Sequence, residues 1–173
     1  QKMGLPVIKI SELNANSIKN AKFYEGEYQE KYRLNTGDVL FAWSASLGIY
    51  LWTHGEALLN QHIFNVQPNG TYSKSFLYFL LKYVINEFKD IAAARATTMG
   101  HIKKEHLQSR YVPYPTVDFL RKTEDIFADL YSKILANEVE NNYLKETRDY
   151  LLPRLLSGEI ELKEAEKQVE EML

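Results

Sequence analysis

The chain contains no cysteine, which excludes disulfides and thiolate metal sites. No run of about 18 apolar residues is present to cross a bilayer. The opening Gln1-Lys2-Met3-Gly4-Leu5-Pro6 lacks the apolar core of a secretion signal, so a cytoplasmic setting is the expectation. Phosphate-binding signatures are missing as well. There is no glycine-rich loop followed by Lys-Ser/Thr and no Gly-x-Gly after a strand, so ATP hydrolysis is not expected. No aromatic tetrapeptide of the kind that flips bases in adenine methyltransferases is found. The four histidines are His54, His62, His101 and His106. The last two are five apart, off the shared helix face that a zinc site needs, and the reading is of turn, cap or surface histidines with no metal.

What is present is a chain of 173 residues, 45% hydrophobic and 25% charged, the composition of a globular protein. The net charge of −2 is unevenly spread. Residues 1–116 hold 13 Lys and Arg against 9 Asp and Glu, whereas residues 117–173 hold 8 against 14. Phosphate attraction depends on local potential, so a mildly basic front half is compatible with nucleic acid despite the acidic total. Residues 1–116 are thus expected to form one domain, residues 117–160 a long helix, and residues 161–173 a short acidic helical tail.

Within the front half, Val7-Ile8-Lys9-Ile10 reads as a short strand closed by Ser11 and the Asn14/Asn16 cluster. Thr36-Gly37-Asp38 turns into the apolar run Val39-Leu40-Phe41-Ala42-Trp43. Ser44-Ala45-Ser46-Leu47-Gly48 interrupts it and Ile49-Tyr50-Leu51-Trp52 resumes, which predicts an antiparallel pair. Ile63-Phe64-Asn65-Val66 is another strand. Leu77, Leu81, Val84, Phe88 and Ile91 then recur at helical spacing, with Ser73 or Ser75 as the N-cap. Tyr111-Val112-Pro113-Tyr114-Pro115 favours an extended exit. Asp38 reads as a turn carboxylate capping backbone N–H groups.

The back half has a different period. Leu130, Ile134, Asn137, Asn141, Leu144, Arg148, Leu151 and Leu155 alternate at spacings of four and three, a heptad-like seam. A helix from Asp118 to Leu152 would span on the order of 50 Å, too long to bury its whole length on a small domain. Phe127, Leu130, Ile134, Asn137, Asn141, Leu144, Leu151 and Leu155 are therefore the candidate partner-helix interface. Pro153 is expected to kink or restart the helix, and Ser157-Gly158 to end it. The class that follows is α+β: a small mixed domain followed by a coiled-coil-type helix.

Two segments carry residue types suited to DNA. Trp43 to Gly48 places Ser44 and Ser46 beside an indole between strands; hydroxyls reach phosphate oxygens or base edges, and the indole can cover a sugar. An ordinary hairpin with Trp43 in the core is equally consistent. Arg95 to Lys104 combines Arg95, Lys103 and Lys104 with Thr97, Thr98 and His101 around Gly100. That mixture suits phosphate anchoring plus groove contact, and a helix C-cap at Gly100 with solvated lysines is compatible with it.

The order of these features resembles a family. Leu5-Pro6-Val7-Ile8-Lys9-Ile10-Ser11-Glu12-Leu13 is similar to the opening "G-x-P-x-I-R-I-S-D-L" of type I restriction–modification specificity subunits. Gly37-Asp38-Val39-Leu40 matches their "G-D-I-L" strand. Asn60-Gln61-His62 followed by Val66-Gln67-Pro68 resembles "N-Q-x-x-x-x-I-x-P". Met99-Gly100-His101-Ile102 with Leu107, then Val112-Pro113-Tyr114-Pro115, resembles "G-S/T-x-x-x-I…L…V-P-x-P". Leu144 to Asp149 and Leu151 to Ile160 are close to the terminal "L-R-D-x-L-L-P-K-L-L-S-G-E-I". The family's strand before the opening motif has no counterpart here, and its acidic-Glu-Gln helix start is replaced by Val117 to Lys122.

The resemblance implies one target recognition domain with its spacer helix, as in the C-terminal half of such a subunit or a half-length one. It implies double-stranded DNA as ligand, and methyltransferase subunits as partners that in turn carry the restriction motor. A second recognition half, or a second copy of the chain, would pair along the helix; a two-fold pair predicts a palindromic bipartite target. S-adenosylmethionine and ATP belong to the other subunits, so no cofactor and no catalytic residue is expected. Two alternatives stay open: a coiled-coil adaptor without DNA contact, and a fragment of a self-contained DNA methyltransferase.

Overall fold

The computed structural model describes residues 4–44, 46–94, 112 and 115–172. Strand β1 (Leu5–Ile8) opens the chain and is followed at once by helix α1 (Ile10–Ala15). Ile10 therefore belongs to a helix, not to the expected strand, and Ser11 continues that helix. The reason is local capping. The Glu12 carboxylate reaches back to accept the Lys9 N–H at 3.0 Å, and Asn16 closes the helix in the left-handed region with φ 45°.

Among the described residues, seven strands form two sheets. The first orders β2 (Lys22–Tyr24), β1, β6 (Ala57–Leu59) and β3 (Arg33–Leu34); the second orders β5 (Gly48–Leu51), β4 (Val39–Ala42) and β7 (Ile63–Asn65). The expected β4–β5 antiparallel pair is present, Val39 opposite Leu51 and Ala42 opposite Gly48. β7 lies on the other side of β4, with Leu40 opposite Asn65 and Ala42 opposite Ile63. Strand alternation sends Leu40, Ala42 and Ile63 inward, where they meet Ile8, Leu34 and Ala57 of the first sheet around Trp52 in one buried cluster. Burying side chains of this size contributes roughly 1.5–3 kcal/mol each.

The tight entry to β4 depends on Gly37. The turn Asn35–Asp38 closes with the Asp38 N–H on the Asn35 carbonyl at 3.0 Å, and Gly37, its third residue, has φ +88°, a conformation that favours glycine.

Helix α2 (Lys74–Ala94) starts at Ser73, whose hydroxyl accepts the Phe76 N–H at 3.1 Å, so Ser73 is the N-cap. It buries Phe76, Tyr78, Val84, Ile85 and Phe88. Helix α3 (Val117–Leu156) is 40 residues long and runs through Pro153 without restarting. Proline removes one N–H from the ladder, but only one short turn follows it. Beyond, Gly158 at φ +71° ends the helix. Its N–H bonds to Leu155 O and that of Glu159 to Arg154 O, the Schellman arrangement. Helix α4 (Leu162–Met172) forms the tail.

Two compact units divide the chain, residues 1–133 and residues 134–173. The first thus runs on through residues 117–133 of α3. That stretch packs Phe127 on Phe76 and Phe79 of α2, with ring centroids 5.6 Å apart in both pairs, and Tyr131 on Tyr78 at 5.4 Å. No described helix is long and apolar enough to cross a membrane.

Candidate nucleic-acid interface

The register of β4 and β7 places two phenylalanines opposite each other on the outer face of the second sheet, Phe41 and Phe64. Their fates differ. Phe41 is covered by Phe88 of α2, with centroids 6.2 Å apart, and is 4% exposed, whereas Phe64 is 44% exposed. Just past the end of β4, the Trp43 N–H donates to the His62 carbonyl at 3.3 Å, extending the ladder by one rung. That rung lays the Trp43 indole on Phe64, centroids 5.9 Å apart and planes 21° from parallel. The His62 ring also sits against Trp43, with centroids 5.4 Å apart. Three rings thus form a platform where β4 ends and β7 begins, with Phe64 on β7, Trp43 just past β4 and His62 in the turn before β7.

Trp43 is half-buried in this platform and not enclosed in the core. Of the two serines in the hairpin loop, Ser46 is exposed and Ser44 is buried. The Ser44 hydroxyl is therefore turned away from a ligand at the surface. The buried His62 Nδ1 has no hydrogen-bond partner among the described residues. Arg95, Thr97, Thr98, His101, Lys103 and Lys104 lie outside the described residues. Val112, which follows that segment, packs with Leu47 of the hairpin loop against Val84 and Phe88.

Sequence reasoning missed Phe64 as a surface residue and His62 as a ring beside Trp43. Alternation marks Phe64 as opposite in face to Ile63, but only the β4–β7 register shows it beside Trp43.

Asp38 carries more than the expected cap. One carboxylate oxygen accepts the Asn35 N–H at 2.9 Å and the Asn65 side-chain amide at 3.1 Å. The other pairs with Lys74 Nζ at 2.9 Å. Next to it, the buried Tyr131 hydroxyl donates to the Gly37 carbonyl at 2.6 Å. Burial, with smaller contributions from Asp38 and Tyr78, holds the Tyr131 phenol well above its ordinary range. Among the described residues, no group of three or more His, Asp or Glu is arranged to hold a metal. The His54 ring meets Trp52 at 5.1 Å and its Nε2 lies 2.8 Å from Asn16 Oδ1, contacts within the fold.

Along α3 the proposed partner seam is unevenly exposed. Leu130 and Leu144 are 49% and 45% exposed, Asn137 and Asn141 are exposed, and Ile134 and Leu155 are half-buried. Leu151 is buried within the chain, and Phe127 is engaged by α2. The heptad period does not mark the exposed Phe119, Ile126, Tyr143, Leu152 and Leu156.

Residues 1–146 match the model of the type I restriction modification DNA specificity domain. The chain belongs to that family. Among its relatives, the Type I restriction enzyme HindI specificity subunit of Haemophilus influenzae is 27% identical over 163 residues, 90% of this chain and 35% of the relative. The Type I restriction enzyme MjaIX specificity subunit of Methanocaldococcus jannaschii is 30% identical over 89 residues, 51% of this chain and 20% of the relative. This specificity domain therefore spans about a third or less of the curated relatives it matches. The α+β body and the long helix that the sequence implied are both present in it.

Proposed function

We propose that the chain is a sequence-specific DNA-reading module of a type I restriction–modification complex, without catalytic residues of its own. The observation that carries the reading is the family match, which runs from the sheets well into α3. The body would meet the duplex through the ring platform of Trp43 and Phe64 with His62, through Ser46, and through Arg95, Thr97, Thr98, His101, Lys103 and Lys104. Aromatic faces pack on sugars and bases, while the basic segment neutralises phosphates. The helix would serve protein partners. Its acidic balance keeps it off DNA, and Leu130 and Leu144 offer apolar surface to a second recognition half or a second copy. Methyltransferase subunits would assemble on this module and bring S-adenosylmethionine with them, and through them the restriction motor with its ATP. A cytoplasmic location follows from such a substrate.

Equilibrium binding to mixed-sequence duplex across a salt series tests this. The module is expected to bind at low salt, with affinity falling linearly in log[salt]. No retention at low salt would favour the adaptor reading, whose support is the acidic total charge.

A further inference from the structure

The outer face of the first sheet carries a groove that the DNA-reading function leaves unused. Val7 and Leu58 are partners in register on β1 and β6, and strand alternation turns both away from the core that Ile8 and Ala57 enter. Together with Leu59 they floor an open groove of about 510 Å³. Its walls are tyrosines: Tyr24 at the end of β2, and Tyr28 and Tyr32 from the segment that follows. All three stay 40–46% exposed. The wall is built into the chain. Tyr24 donates its hydroxyl to the Glu27 carbonyl at 3.1 Å, and its ring closes over Gly26 so tightly that a Cβ there would stand 2.5 Å from the phenol oxygen. Phe64 projects from the second sheet, so the groove and the ring platform belong to different sheets.

Charge decides what the groove accepts. Residues 24–32 set Glu25, Glu27 and Glu30 against a single cation, Lys31. Arg33 pairs with Glu30 and Glu56, and among the described residues no ion pair reaches Glu25 or Glu27. Glu27 lines the groove itself. An uncompensated carboxylate repels phosphate, so this face does not suit a duplex. Tyrosine faces attract cations instead, and one of them already does: the Lys31 ammonium lies 4.9 Å from the Tyr32 centroid. We propose that the groove is a docking site for an arginine side chain of a partner protein, with the guanidinium on the tyrosine rings beside Glu27 and the flanking residues of the partner on Val7, Leu58 and Leu59. Arginine fits better than lysine, because its plane stacks on rings while its N–H edge reaches a carboxylate. A protein segment fits better than a small free cation. A groove of this size takes a ligand of drug-like dimensions, and its apolar floor gains from being covered by apolar neighbours of the arginine.

The test titrates the full chain, its tyrosine rings isotope-labelled for NMR, with the peptide acetyl-Leu-Arg-Leu-amide and with the same peptide carrying citrulline, the neutral isostere of arginine. The arginine peptide is expected to shift the ring resonances of Tyr24, Tyr28 and Tyr32 saturably, and the citrulline peptide to bind about tenfold more weakly. Glu27→Gln and Tyr28→Ala change exposed positions, so the melting temperature should hold while each variant binds the arginine peptide roughly three- to tenfold more weakly. The peptide is expected to stay bound when a mixed-sequence duplex is added in excess. Equal affinity for the two peptides, the absence of ring shifts, or unchanged affinity in both folded variants overturns the proposal. Displacement of the peptide by duplex overturns it as well, because the groove would then belong to the DNA-facing surface. A duplex that does not bind at all counts against the DNA-reading function alone and leaves the peptide comparison to decide this one.

Discussion

The Trp43 indole lies on the Phe64 phenyl ring, centroids 5.9 Å apart and planes 21° from parallel, and Phe64 keeps 44% of its surface in solvent. An exposed phenylalanine on a strand adds little to folding, so its removal separates binding from stability. Phe64→Ala is expected to shift stability by less than about 1 kcal/mol. It is expected to weaken duplex binding by roughly 1 kcal/mol, the worth of covering the exposed part of the ring against a sugar or thymine methyl. Thermal unfolding and fluorescence anisotropy on the same preparation read both. Loss of stability with unchanged affinity would make the platform part of the core.

Reversing the charge of Lys103 and Lys104 is expected to weaken binding uniformly across sequences. It should also reduce the slope of log Kd against log[salt] by about 1 for each phosphate that is no longer neutralised. An unchanged slope would remove that segment from the interface.

Much of this layout is legible in the residues alone, and what is not has physical causes. The β4–β5 pair shows because a run of apolar residues breaks at small ones, and α2 because Val84 and Phe88 keep helical spacing. β2, β3 and β6 are two or three residues long; Ala57–Leu59 is a strand through its pairing with β1 and β3 rather than through any period of its own. Phe127 lies close to the heptad seam and by spacing alone reads as a partner residue. An apolar stripe does not say which surface covers it, and here Phe76 and Phe79 take that place. The ring platform is half visible: Trp43 stands out in its loop, but Phe64 joins it by register alone.

Asp38 is buried with three partners, among them the Lys74 ammonium at 2.9 Å. Asp38→Ala leaves that ammonium and the Asn35 N–H without their acceptor. With Lys74 still about a third exposed, the cost is expected at about 2–3 kcal/mol rather than the larger figure for a fully enclosed pair. The midpoint of urea unfolding measures it, and a change below about 0.5 kcal/mol would contradict the hub.

Burial raises the Tyr131 phenol, and an acid whose folded-state pKa lies above its unfolded value stabilises the fold while it stays protonated. Its contribution is complete below the unfolded value of about 10 and is lost as pH climbs from there toward the folded one. Wild-type stability should therefore fall between about pH 9 and 11 more steeply than that of Tyr131→Phe. Parallel declines would mean that the hydroxyl is not enclosed. Tyr50, also raised by burial, gives both proteins a shared background slope.

Leu130→Glu combined with Leu144→Lys changes two exposed positions, so the fold should tolerate it within about 0.5 kcal/mol. Self-association, followed by sedimentation velocity, is expected to disappear. A dimer that survives would move the partner surface elsewhere on the chain.

A DNA-reading module must choose among DNA sequences. Repeated selection from a pool of random duplexes, followed by sequencing, measures that choice. Enrichment of one motif, repeated as an inverted pair at fixed separation when the chain self-associates, is the predicted result. A pool that stays random after selection, from protein that is folded and retains duplex at low salt, would contradict it.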